Sequence, residues 1–334
     1  MNNIKLLLAS TFTLALNLAV AAPFGTLYTA NERDSSISQV RLSTGVVKTL
    51  ALNIAPHNLQ VSADDRWLLV VGMPAHGQHQ AGAKSGGELQ VFSTAALDKP
   101  AFSLAAGEHP AHVVTDLSGR RAFVSDSAAN LVRVFDLEQR QQISTVKTGS
   151  FPHGLRLSPD GKTLYVANMR GASVSVIDTA TLKQSAQIAV GKAPVQVGFA
   201  PDGRQAYVSL SGENQLGIID TATQKLIGTV AVGRTPVQMY ATVDGRQVYV
   251  ANQGSSSEPD DRVSVVDPQT LKVLATLTTG KGAHGVAISR DGAYVFVSNL
   301  EDGTFSVIET ASRRVLANHK VGAGPNGISY QACE

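Results

Sequence analysis

The sequence has 334 residues, of which 43% are hydrophobic and 5% aromatic, and its formal net charge is +2. This balance, without any basic run, argues against a nucleic-acid or anionic-membrane partner, and the low aromatic fraction argues against a base-stacking surface. The single cysteine, Cys333, cannot form an internal disulfide, so a hydrophobic core has to hold the fold.

The first 21 residues have the pattern of a secretory signal peptide. Lys5 lies at the start of an apolar stretch, residues 4–20, and Ala19, Val20 and Ala21 form a small-x-small cleavage sequence. Several polar residues interrupt the stretch, which makes it a poor membrane span. We therefore expect a signal peptide at residues 1–21, one domain at residues 22–334, and a periplasmic or secreted location.

The rest of the chain is built from one repeated unit. A glycine closes successive units, and these glycines are 42 residues apart except for one step of 47: Gly107, Gly149, Gly191, Gly233, Gly280 and Gly322. Each unit contains four short runs with β-branched residues and period-2 alternation, separated by turn residues, which indicates four β-strands. Asp-Gly pairs such as Asp160-Gly161 predict a tight turn with positive backbone angles between the first two strands. An Asp at the end of each third strand, such as Asp178, is expected to accept backbone N–H groups in the next turn.

The number of first strands predicts the number of units. First strands begin at seven places: Pro56, Pro110, Pro152, Pro194, Pro236, Ala283 and Pro325. No further strands follow the last start, whereas the N-terminal segment supplies three strands without a first. Since units of this length are propeller blades, the sequence predicts an all-β fold, a seven-bladed β-propeller of four-stranded antiparallel blades. Pairing of the C-terminal strand with the N-terminal blade would close the ring.

The repeat resembles a known family. The segments LYVAN at residues 164–168 and VYVAN at residues 248–252, with SPDG and VIDTAT beside the first, are similar to the YVTN family of β-propeller repeat proteins. The resemblance covers nearly all of the chain after residue 21. The resemblance implies the propeller fold and an exported protein. Its motifs are residues that build the blades, so it assigns no catalytic residue to this chain.

Histidines recur at the start of the first strands. His57, His153 and His284 occupy the same repeat position, and His112 lies one residue later in its own blade. The loops before strand one and between strands two and three lie at the same end of a blade, so these side chains are expected at one mouth of the central channel. Amides occupy related positions there and, with His112, are predicted to contact a ligand: Gln196, Gln238 and Asn326.

An insertion in the second blade adds two histidines at the same mouth. It spans residues 73–87, is rich in glycine, and contains His76 and His79. Imidazole clusters suit zinc or copper, so the predicted metal ligands are His57, His76, His79, His153 and His284. The alternative is that the histidines only hydrogen bond at strand starts and that the insertion is a surface loop.

Two other charged features lie at this mouth. A five-residue insertion in the sixth blade carries Glu258, Asp260 and Asp261, which could hold calcium or form a solvated acidic loop. Arg170, in the corresponding loop of the fourth blade, could contact an anion or be a surface arginine.

The sequence leaves two hypotheses for function. It contains no haem-attachment CxxCH, no GxSxG nucleophile elbow and no phosphate-binding loop, so neither haem nor a nucleotide is indicated. The first hypothesis is a non-catalytic binding or scaffold protein that holds a metal ion or small ligand at the channel mouth and a protein partner on its blades. The alternative is a lactonase-type hydrolase that uses a channel histidine or a metal-bound water.

Overall fold

A computed structural model describes residues 23–75 and 86–333. The described chain forms 28 strands in seven antiparallel sheets of four strands each. Within these two ranges, no helix is long and apolar enough to cross a membrane. The expected signal peptide lies outside the described residues.

The strands follow the blades in chain order. Blade 1 contains both ends of the described chain: β1 Thr26–Asn31, β2 Ser36–Arg41, β3 Val46–Ala51 and β28 Pro325–Gln331. Blades 2 and 3 contain β4 Ile54–Val61, β5 Trp67–Pro74, β6 Gly87–Ser93, β7 Phe102–Gly107, β8 Pro110–Thr115, β9 Arg121–Asp126, β10 Leu131–Asp136 and β11 Gln141–Lys147. Blades 4 and 5 contain β12 Pro152–Leu157, β13 Thr163–Asn168, β14 Ser173–Asp178, β15 Lys183–Ala189, β16 Pro194–Phe199, β17 Gln205–Leu210, β18 Gln215–Asp220 and β19 Lys225–Ala231. Blades 6 and 7 contain β20 Pro236–Ala241, β21 Val248–Gly254, β22 Pro259–Asp267, β23 Lys272–Thr278, β24 Ala283–Ile288, β25 Tyr294–Asn299, β26 Thr304–Glu309 and β27 Arg314–Lys320.

The two ends of the chain close the ring, as the sequence predicts. Strand β28 pairs with β1 from Thr26 opposite Gln331 to Asn31 opposite Pro325, giving the sheet order β28-β1-β2-β3. Tyr330 of β28 also stacks on Phe296 of blade 7, with ring centroids 5.7 Å apart. The predicted seven-bladed propeller of four-stranded antiparallel blades is therefore confirmed.

The hydrophobic core lies between neighbouring blades. One cluster joins Val176 of blade 4 to Val208 of blade 5, and another joins Val265 of blade 6 to Val297 of blade 7. An inner strand such as β13 is almost entirely buried, whereas an outermost strand such as β15 is mostly exposed. Burial of apolar area between stacked blades thus replaces the disulfides that this chain lacks.

The Asp-Gly turns differ in part from the expectation. The glycine has a positive φ, as at Gly161 with +70°, but Asp160 is not among the residues with positive φ. The aspartate acts through its side chain, because Asp160 Oδ1 accepts the hydroxyl of Ser158 at 2.6 Å and the N–H of Lys162 at 3.1 Å. The connection from β12 to β13 is therefore a side-chain-supported turn of five residues, longer than a two-residue hairpin. At the third strands the expectation is confirmed, since Asp178 Oδ1 accepts the N–H of Thr181.

A β-bulge interrupts the start of every first strand. In blade 4, Pro152 pairs with Asn168 and Leu155 with Val166, so that His153 and Gly154 face the single residue Ala167. Similar register shifts occur at the other first strands. A bulge redirects side chains and is frequent beside functional sites, and here it opens the strand edge at the channel.

Candidate metal site at the channel mouth

Three histidines from three consecutive blades meet at the channel. His57 of β4, His112 of β8 and His153 of β12 each offer one ring nitrogen, and these three atoms lie within 4.8 Å of one another. His57 Nε2 is 3.2 Å from His153 Nε2, and the His112 and His153 ring centroids are 4.7 Å apart. His112 lies one repeat position later than His57 and His153. It can still join them because, at the bulge of blade 3, Ala111 and His112 together face the single residue Ser125. We call these three residues the histidine cluster.

The other ring nitrogens link blades to one another. His153 Nδ1 lies 3.1 Å from the carbonyl oxygen of Val195 in blade 5, and His284 Nδ1 lies 2.9 Å from that of Asn326 in blade 1. A carbonyl oxygen only accepts, so in each ring Nδ1 carries the hydrogen. In the neutral form of His153, Nε2 then holds a lone pair directed at His57.

Burial keeps these imidazoles neutral near pH 7. Burial and the neighbouring His57 lower the pKa of His153 to about 3. The same two causes lower the pKa of His284 to about 4. Burial, together with His153 and His57, lowers the pKa of His112 well below its ordinary value. Neutral imidazole is the form that binds metal ions.

A carboxylate completes the site from the closing blade. Glu32 follows β1, and its Oε1 lies 3.3 Å from Nδ1 of His57. The amide nitrogen of Asn326 in β28 donates to Oε2 of Glu32 and lies 3.1 Å from His57 Nδ1. Burial raises the pKa of Glu32, but the hydrogen bond and charge of His57, together with the amide of Asn326, outweigh it and lower the pKa to about 2. Glu32 is therefore an anion beside the histidine cluster.

Sequence reasoning missed Glu32, although the repeat contains a signal for it. Glu32 occupies a repeat position at the end of the second strand, and in five of the other blades the corresponding residue is uncharged: Ser127, Met169, Ser211, Gln253 and Leu300. Comparison of the blades at that position would have singled out the one carboxylate.

The remaining predicted metal ligands divide into two groups. His284 is buried, but it is outside the three-residue cluster. His76 and His79 lie outside the described residues. His112, predicted to contact a ligand, is the third member of the cluster instead.

The predicted ligand-contacting amides line the channel but differ in their partners. Gln196 Oε1 accepts the N–H of Val197. A Cβ on Gly154 would lie 2.6 Å from the carbonyl oxygen of Val195, so the backbone of the next blade favours glycine beside His153. Gln238 Nε2 and Asn326 Oδ1 are buried and have no hydrogen-bond partner within the described part of the chain.

The charged loops at the mouth are engaged in other contacts. Asp260 is almost fully buried and accepts two hydrogen bonds of 2.6 Å from Arg262, while Glu258 pairs with Arg234 at 2.9 Å. These carboxylates are neutralised by arginines, which argues against the calcium reading. The guanidinium of Arg170 lies 4.2 Å above the ring of Phe151, in a cation–π contact.

Solved structures with the same fold come from several bacteria. A hydrazine synthase structure from Kuenenia stuttgartiensis is 18% identical with a TM-score of 0.70 and covers 82% of this chain and 89% of its own. A functionally unknown protein from Desulfotomaculum acetoxidans is 16% identical with a TM-score of 0.75, and the match covers 93% of this chain and 100% of that one. A putative 6-phosphogluconolactonase from Bacteroides fragilis is 16% identical with a TM-score of 0.72, and the match covers 92% of this chain and 98% of that one. At these identities the likeness shows the fold alone, and no curated protein matches the sequence.

A family model described as the cytochrome D1 heme domain matches residues 42–243. Its description names a haem, and the missing CxxCH bears only on covalent haem attachment. Haem iron takes axial ligands on opposite faces of the macrocycle, whereas His57 and His153 point their Nε2 atoms at each other across 3.2 Å with the rings at 88°. The histidine cluster thus does not fit a haem iron as a joint set of ligands, although it fits a single small ion. Because the matched segment covers more than half of the chain, the protein, a seven-bladed propeller, belongs to the cytochrome D1 heme domain family.

Proposed function

We propose that this protein is an exported propeller that binds one zinc or copper ion through His57, His112 and His153. The observation that carries the proposal is the convergence of three ring nitrogens within 4.8 Å. In this role the ion, held at the channel mouth, provides the binding point for a small ligand or for a partner protein. The location outside the cytoplasm is part of the proposal and rests on the signal-peptide pattern of residues 1–21.

The spacing of the nitrogens supports an ion of this size. Two nitrogens that bind tetrahedral zinc at about 2.0–2.1 Å lie roughly 3.3 Å from each other, and His57 Nε2 and His153 Nε2 are 3.2 Å apart. Imidazole nitrogens suit zinc and copper better than calcium or magnesium. The alternative that the histidines only connect strands accounts for Nδ1 of His153, which contacts Val195, and a hydrogen bond with His57 accounts for its Nε2. It gives no reason why a third imidazole, His112, lies in the same cluster.

The surroundings of the cluster support binding of a small ligand beside the ion. Three protein ligands leave a fourth tetrahedral position open, as in zinc sites that bind water or substrate. Beside His57, the buried Oδ1 of Asn326 offers an unused acceptor. Buried polar groups normally find partners, so a ligand with a donor atom would complete it.

The test is metal binding by the purified protein with matched histidine variants. We expect zinc or copper in elemental analysis after equilibration, and a gain of about 2.7 kcal/mol in unfolding free energy at a metal concentration 100 times the dissociation constant. His153→Gln should lose this gain. The control variant His319→Gln should keep it, because His319 lies in the outer strand β27, where it stacks on Phe305. Absence of bound metal together with an unchanged melting temperature in the unmodified protein would refute the proposal.

Lactone hydrolysis is the alternative, and the fold likeness to putative 6-phosphogluconolactonases does not establish it. The contact between Glu32 and His57 is the one arrangement in the site that resembles a carboxylate-assisted base. Lactone turnover that disappears in both His57→Gln and Glu32→Gln would favour a hydrolase over a binding protein.

A further inference from the structure

We propose that Glu32 is the positioning residue of the metal site, because it accepts the hydrogen of His57 Nδ1 and so makes Nε2 available to the ion. This inference rests on the proposed metal binding. It assigns a role to a residue of the closing blade that does not itself contact the ion.

The argument starts from the hydrogen between His57 and His153. His153 Nδ1 donates to the carbonyl of Val195, so its Nε2 is an acceptor. His57 Nε2 lies 3.2 Å from that acceptor and, without an ion, has to carry the hydrogen between them. His57 Nδ1 faces Glu32 Oε1 at 3.3 Å, and the amide nitrogen of Asn326 lies 3.1 Å from the same ring nitrogen.

An ion in the cluster requires that the hydrogen of a neutral His57 ring sits on Nδ1. The ion takes the lone pair of Nε2, so a neutral ring has to carry its hydrogen on Nδ1. Among the described residues, the acceptor within reach of that hydrogen is Oε1 of Glu32 at 3.3 Å. Metal binding therefore fixes the ring hydrogen on Nδ1, where Glu32 accepts it.

The charge and position of Glu32 suit this role. Metal-bound histidines usually donate their second N–H to a carboxylate or carbonyl, and loss of that partner weakens metal affinity 10- to 100-fold. The carboxylate of Glu32 is held in place by the amide of Asn326 in β28, so both groups behind His57 belong to blade 1. Neutral imidazoles leave the charge of the ion uncompensated, and Glu32 supplies a nearby negative charge.

The test compares zinc affinity and the His57 tautomer in the full chain and two variants. We expect Glu32→Ala to bind zinc 10- to 100-fold more weakly. Glu32→Gln should show a smaller loss, because its amide oxygen still accepts the hydrogen but lacks the charge. Glu213→Gln removes an exposed carboxylate without a contact to the cluster and should bind as the unmodified protein does.

Nitrogen NMR of the histidine rings gives a readout that a general loss of stability would not change. In the unmodified protein with zinc, His57 should carry its hydrogen on Nδ1 and none on Nε2. Zinc affinity of Glu32→Ala within twofold of the unmodified protein, or a zinc-loaded His57 with its hydrogen still on Nε2, would overturn the inference. If the unmodified protein binds neither zinc nor copper, the proposed function itself fails, and this result is distinct from the other two.

Discussion

The imidazoles at the channel use their two nitrogens for different purposes. In His153 and His284 the Nδ1 atom bonds to a backbone carbonyl 42 residues later in the chain, which joins neighbouring first strands. The Nε2 atom is left free of that task. A histidine can therefore stabilise the ring of blades and still present a ligand atom, whereas an asparagine at the same position offers a shorter side chain.

Protonation of His284 should reduce stability at acid pH. Burial and the neighbouring His57 lower its pKa from 6.5 to about 4 in the folded state. Between these values the unfolded chain takes up a proton that the folded chain does not, so stability falls as the pH falls from about 6.5 to about 4. At about 1.4 kcal/mol per pKa unit, the loss assigned to His284 is on the order of 3 kcal/mol.

The measurement is urea unfolding of metal-free protein from pH 7.5 to 4. We expect His284→Gln to have a shallower decline than the unmodified protein across that range. Comparison at pH 7.5, where the histidine is neutral in both states, separates the packing effect of the substitution from the protonation effect. Equal declines for the two proteins would contradict the assigned pKa.

At the level of single strands and turns, the glycines of this chain meet two different requirements. Gly45, in the turn between β2 and β3, has a φ of +70° and open space around its missing Cβ. Gly72 of β5 has no positive φ, but a Cβ there would lie 2.1 Å from the carbonyl oxygen of Ala55 and 2.9 Å from Cα of Pro56. The first requirement is conformational and the second is steric.

Alanine at these two glycines should therefore have unequal effects. Gly45→Ala should lower the unfolding free energy by about 1 kcal/mol, since only the left-handed backbone is disfavoured. Gly72→Ala should lower it by about 3 kcal/mol or more, because two backbone segments have to separate. Denaturant unfolding measures both values, and an equal loss would show that the strand pair β4-β5 relaxes without strain.

Over the whole molecule, closure of the ring links the termini to the channel. Strand β28 contributes six residue pairs to β1, and it also carries Asn326, which contacts both Glu32 and His57. Loss of this strand would expose the edge of β1 and remove the amide behind the histidine cluster. Stability of the ring and geometry of the site thus depend on the same strand.

Truncation tests this dependence. Removal of residues 325–334 should abolish cooperative unfolding and also weaken zinc binding, because the closing pairs and Asn326 are lost together. Removal of residues 333–334 keeps β28 intact and loses the hydrogen bond from Thr26 to Cys333, so it should leave both properties nearly unchanged. A long truncation that still unfolds in one sharp transition would show that the ring does not need the strand.

The sequence by itself determined the architecture of this protein. Glycines 42 residues apart, Asp-Gly turns and a final first strand without a following blade specify seven units and the way they close, because blade formation depends on local patterns that repeat. Tertiary structure decided which side chains meet. Bulges at the first strands bring His112 into the cluster despite its shifted repeat position, and ring closure brings Asn326 of the last strand within 3.1 Å of His57, 269 residues earlier in the chain. No spacing along the chain encodes those contacts, since they arise between blades whose distance is fixed only when the ring closes.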